Sequence, residues 1–87
     1  MQAPEPAALQ ARLAANPADS EARYQLAAHL VMANRIEEAL EQLFQLMQKD
    51  RKYGDDAARK GLLLIFDILG SSPPVSRYRS KLFNLLH

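Results

Sequence analysis

Cysteine and tryptophan are missing from the 87 residues. Without a thiol, no disulfide framework, thiolate metal site, CxxC redox pair or cysteine nucleophile can be built inside the chain. Glycine is nearly as scarce. Gly54, Gly61 and Gly70 stand apart from one another and none begins a strand-to-helix turn, so no phosphate-cradling loop is available. Long apolar runs are absent too: GLLLIF is far short of a bilayer span, and the start MQAPEPAALQ has neither a basic n-region nor an apolar h-region. A cytoplasmic protein is expected, with no membrane partner.

What is present favours helix. Hydrophobic residues make up 48% of the chain and charged ones 24%, which is ordinary for a soluble fold, and the apolar share is mostly alanine and leucine. A chain of this size forms one domain and buries only about 60 to 65% of its unfolded surface, which disfavours a large enzyme cleft. The net charge of +1 hides an asymmetry. Residues 1 to 50 hold seven acids against four bases, whereas 51 to 87 hold seven bases against three acids. A cationic patch in the second half can meet an acidic partner, RNA or anionic lipid, or be no more than a solvated face.

The periodicity predicts about five helices. Glu5 to Asn16 spaces Leu9 and Leu13 four apart, and Pro17 stops that segment. Asp19 or Ser20 caps a second helix running to about Ala33. Asn34 and Glu37 have the spacing of a capping box, opening a third helix with Ile36, Leu40, Leu43 and Met47 on one stripe, Ala39 and Leu46 beside it, and Glu37, Glu38, Glu41, Gln42, Gln45, Gln48 and Lys49 opposite. Asp55 or Asp56 caps a fourth, apolar almost all round from Leu62 to Leu69, which therefore needs cover on several sides. Gly61 within it marks the close approach of a neighbouring backbone, and Gly70 ends it. Ser72, Pro73 and Pro74 open a fifth, whose stripe is Val75, Tyr78, Leu82, Leu85 and Leu86, with Arg77, Lys81 and Asn84 facing away and Phe83 about a quarter turn off.

The stretch SEARYQLAAHLVMANRIEEALEQLFQLMQKDRKY, Ser20 to Tyr53, resembles one 34-residue tetratricopeptide unit. Leu26, Ala27 and Leu30 match the packing residues of its first helix, Asn34 the tight turn, Ala39 the small crossing residue and Leu43 the large residue after it. Arg23 stands where an aromatic is usual and Arg51 where the closing proline would be. The resemblance implies an all-α array of antiparallel helical hairpins, with 1–17 as the closing helix of a preceding repeat, 20–53 as one repeat and 55–87 as a degenerate capping repeat. It also implies a peptide groove on the second helix, at Glu21, Tyr24, Ala28, Val31 and Met32. Those residues are apolar with one acid, which suits a greasy segment better than an acidic peptide tail.

IEEALEQLFQLMQKDRKYGDDAARKGLLLIFDILG followed by YRSKLFNLL looks like the C-terminal domain of the bacterial thioredoxin-like co-chaperones, the chaperedoxins. The similarity runs from about Pro17 to Leu86, and it implies that an N-terminal thioredoxin fold belongs to the whole protein and is absent from this chain. It further implies a holdase that keeps unfolding client proteins and delivers them to a ring chaperonin, docking through the last helix by Tyr78, Arg79, Lys81, Leu82, Leu85 and Leu86. Phe83 joins them on physical grounds, being large, apolar and off the core stripe.

No catalytic role is expected. His29 is the only internal histidine, positions three and four beyond it hold Met32 and Ala33 rather than a second metal ligand, and Ser20, Ser71, Ser72, Ser76 and Ser80 sit at caps, loops or the last helix. Asp55 and Asp56 read as helix caps rather than as an acid and base pair. No cofactor, metal or small-molecule ligand is called for. Two rival functions stay open: a basic module binding single-stranded nucleic acid, with Tyr53, Tyr78 and Phe83 for stacking, and a self-associating scaffold using Phe83 and the last helix.

Overall fold

A computed structural model describes residues 5–70 and 72–86, with the side chain of Leu86 outside the described residues, as are Ser71 and His87. Five α-helices follow one another: α1 (Pro6–Ala15), α2 (Ser20–Met32), α3 (Ile36–Lys49), α4 (Ala57–Leu69) and α5 (Pro73–Leu86). No strand occurs among the described residues, so the all-α expectation holds. None of the helices is long and apolar enough to cross a membrane.

α3 is the hub, packing against α2, α4 and α5, while α1 packs on α2. Its two apolar sides serve two cores. Ala39 joins Leu9, Ala22, Leu26 and Leu30 in a small cluster beneath α1, where a methyl group at residue 39 lets α2 and α3 close up. Leu40, Leu43, Phe44, Leu46 and Met47 enter the larger cluster with Leu62, Ile65 and Phe66 of α4 and Val75, Tyr78 and Leu82 of α5. Of the stripe expected on α5, Val75, Tyr78 and Leu82 are buried and Leu85 is partly buried.

The helix ends decide one expectation and correct two. Asp19, not Ser20, caps α2: its carboxylate accepts from Ala22 N at 3.0 Å and takes a two-pronged contact from Arg12, which together hold it below the usual carboxylate range. Ser20 instead donates to Asp50 at 2.7 Å, tying the start of α2 to the end of α3. Asn34 forms no capping box. It takes φ +60° as the left-handed residue that terminates α2, with Asn34 N bonded to Val31 O at 3.0 Å and Arg35 N to Leu30 O at 2.8 Å, the paired bonds of a Schellman turn. The first turn of α3 is then pinned by Arg35 on Glu38, which leaves Glu37 to meet Arg77 of α5 at 2.7 Å.

Neither aspartate caps α4 through its side chain. Gly54, Asp55 and Asp56 are three successive residues at positive φ, a conformation that glycine and aspartate tolerate better than most, and the Asp55 carboxylate turns to Lys60 at 3.1 Å. Gly61 is indeed crowded, but by a side chain rather than a backbone: an added Cβ would lie 3.3 Å from Leu43 Cδ1.

Candidate functional site

α2 and α4 both rest on α3, and small residues keep the space between them from filling. Ala27, Ala28 and Gly61 contribute little bulk, so an open groove of about 270 Å³ runs over buried Leu43 and Ile65. Tyr24, Val31 and Met32 form the α2 wall; Leu64 and Ile68 form the α4 wall. Met32 is 85% exposed, Leu64 60% and Ile68 69%, values far above those of a packed side chain. The Tyr24 ring is steadied by Tyr53, centroids 6.0 Å apart and tilted.

The lining is carbon almost throughout, with the Tyr24 hydroxyl as the one side-chain polar group among the lining residues. Such a surface offers no nucleophile, base or charge to a reacting substrate. It offers an apolar trough for side chains of another polypeptide. The structure thus brings Tyr24, Ala28, Val31 and Met32 together as the sequence suggested, while Glu21 lies outside the lining and faces Arg12 at 3.6 Å. Sequence reasoning missed Leu64 and Ile68. The signal is an α4 apolar almost all round, which predicts cover on several sides, whereas Leu63, Leu64, Ile68 and Leu69 stay exposed.

The residues singled out on α5 divide into two sets. Tyr78 and Leu82 are buried and Leu85 is partly buried against the same core, whereas Arg79, Lys81 and Phe83 are exposed, Phe83 by 62%. Arg79 lies over the Phe66 ring at 5.4 Å and donates to Gly70 O at 3.2 Å. Lys81 sits 4.6 Å from the centre of the Tyr78 ring. Leu63, Phe66, Asp67, Arg79, Leu82 and Phe83 frame a second, shallower groove between α4 and α5.

Beneath α5 lies a polar chain that the sequence did not disclose. Arg23, only 7% exposed, donates through Nη1 to Gln42 at 2.8 Å and Gln45 at 2.7 Å, and through Nη2 to Pro17 O at 2.9 Å. Gln45 passes its amide to Glu41 at 3.0 Å, and the Tyr78 hydroxyl donates to the other oxygen of Glu41. Four segments, from the loop before α2 to α5, are joined in this way. The polar arc of α3 is therefore in use, with Glu41, Gln42 and Gln45 all half-buried.

Burial first, and the bond to Glu41 second, push the Tyr78 phenol up to about 12. An unfolded tyrosine titrates near 10. Between those values the folded chain keeps a proton that the unfolded chain has released, so this contribution to stability is intact below about pH 10 and lost as pH rises toward about 12. Urea midpoints measured across that window should fall more steeply for the wild type than for Tyr78→Phe, which has no phenol to titrate.

A family model described as Tetratricopeptide repeat matches residues 1–87. The chain belongs to the tetratricopeptide-repeat family. No curated protein matches it. In this tetratricopeptide domain the two-helix hairpin α2–α3 presents its first helix to the groove and its second to the core, and the fold acts as a protein-interaction module of a typically non-catalytic kind.

Proposed function

We propose that the chain is the non-catalytic interaction domain of a thioredoxin-like co-chaperone, holding unfolding clients in the α2–α4 groove and docking to a ring chaperonin through α5. The observation that carries the client half is the groove itself: an open apolar trough walled by Val31, Met32, Leu64 and Ile68. Unfolding proteins expose apolar segments of no fixed sequence, and a flexible methionine beside branched aliphatics adapts to many of them. The docking half rests on the likeness of YRSKLFNLL to the end of the chaperedoxins and on Arg79, Lys81 and Phe83 projecting from α5 while Tyr78 and Leu82 hold that helix to the core. On this reading α1 closes a preceding repeat, α2–α3 is one full repeat and α4–α5 is a degenerate cap, and the domain works in the cytoplasm behind a thioredoxin fold.

Truncation is a poor test, because removing residues 77 to 87 takes Tyr78 and Leu82 out of the core. Exposed-site variants separate docking from folding. Phe83→Asp and Arg79→Glu are expected to lower co-sedimentation with the ring chaperonin by about tenfold or more, since each places the wrong chemistry at a contact without opening the core. Unchanged co-sedimentation of both folded variants would refute docking through α5 and leave the client groove to be judged by its own test.

A further inference from the structure

α4 carries a pattern that the groove does not account for. At 100° per residue, Lys60, Leu63, Leu64 and Asp67 fall within an arc of about 100°, and all four are exposed. Lys60 and Asp67 are one heptad apart, with the two leucines midway between them. The order cation, leucine, leucine, anion is complementary to its own reverse.

We propose that a second copy of this chain docks on the outer face of α4, the two helices lying antiparallel about a two-fold axis that passes between Leu63 and Leu64. In that arrangement Lys60 of each copy faces Asp67 of the other, two ion pairs form by symmetry, and four leucines fill the space between them. Arg59 and Ile68 lie half a turn apart on α4 and border this face on its two opposite sides. A parallel pair would set lysine on lysine and aspartate on aspartate, so charge selects the orientation as well as the partner. Inside one chain Lys60 meets Asp55 at 3.1 Å, but both are well exposed and such a contact exchanges readily. One pair of thirteen-residue helices gives less than a standard interface, so the dimer is weak and concentration-dependent.

Leu64 and Ile68 also wall the groove, so a second copy and an apolar client exclude one another. That corollary rests on the client reading, whereas the dimer does not, and the experiment below involves no client. Sedimentation velocity of the full chain from about 10 µM to about 1 mM should show the weight-average coefficient rising as dimer forms. Lys60→Asp or Asp67→Lys alone sets like charges together at both symmetric contacts and should weaken association by about tenfold or more. The double variant Lys60→Asp/Asp67→Lys restores the pairs in reverse and should recover association, with helical circular dichroism checked for each protein. A wild type that stays monomeric throughout, single variants that associate as well as the wild type, or a double variant that fails to recover would each overturn the proposal.

Discussion

Replacing Arg23 by alanine is expected to remove about 3 kcal/mol of stability, a large share of what a domain this small holds. The guanidinium is 7% exposed and serves three acceptors on two other segments, the amide oxygens of Gln42 and Gln45 and the carbonyl of Pro17. Truncation leaves those acceptors without their donor in a half-buried setting and opens a void between α2 and α3, and the two effects act in the same direction. For a domain of this length each kcal/mol lost moves the melting temperature by about 4 to 8 °C, so a fall of about 12 to 24 °C is predicted. Arg23→Lys should fall between the two, because a single ammonium cannot hold both glutamines while reaching Pro17 from its other prong. Thermal melts followed by circular dichroism decide the matter; a drop of less than about 5 °C for the alanine variant would mean that water replaces the network without loss.

The second large effect concerns binding rather than stability. Met32→Asp and Ile68→Asp place a carboxylate on opposite walls of the groove at positions already open to water, so each folded domain should keep its stability to within about 0.5 kcal/mol. An apolar peptide that enters the groove must then strip water from that charge. Each substitution is expected to weaken such a peptide by about tenfold or more, and the pair by about a hundredfold, as read by fluorescence anisotropy. Met32→Leu preserves the chemistry and should bind as the wild type does. Phe83→Asp alters another face and should leave peptide affinity unchanged. Equal affinity for Met32→Asp, Ile68→Asp and the wild type would remove the groove from the account.

The helices themselves were legible because their signals are local. Leu9 and Leu13, the α3 stripe and the Val75, Tyr78, Leu82 seam repeat within single segments, and Pro17 and Gly70 mark ends by their own backbone chemistry. Asn34 shows where local reading is ambiguous: asparagine suits both the cap that opens a helix and the left-handed residue that closes one, and only the bond from Arg35 N to Leu30 O decides between them. Arg23 could not be read at all. Its partners Gln42 and Gln45 lie 19 and 22 residues away, and a cation in place of an aromatic looks like a defect until the fold brings those amides to it.

Half of the groove was legible for a similar reason. Tyr24, Ala28, Val31 and Met32 share one face of α2, which periodicity places directly. Leu64 and Ile68 were visible as apolar residues, but whether an apolar helix is wrapped or left open depends on how many neighbours it has, and α4 has α3 and α5 alone among its main contacts. The α5 residues divide because a helix carrying both a seam and an outer face cannot offer Tyr78 and Phe83 to the same partner.

The most direct test of the groove is methyl NMR on the isotope-labelled domain, titrated with an unfolded apolar peptide. The largest shift changes are predicted at Val31, Met32, Leu64 and Ile68, with the methyls of Leu9 and Leu13 beneath α1 unmoved. Changes confined to α5, or none at saturating peptide, would contradict the claim that the trough between α2 and α4 is where this domain takes hold of other proteins.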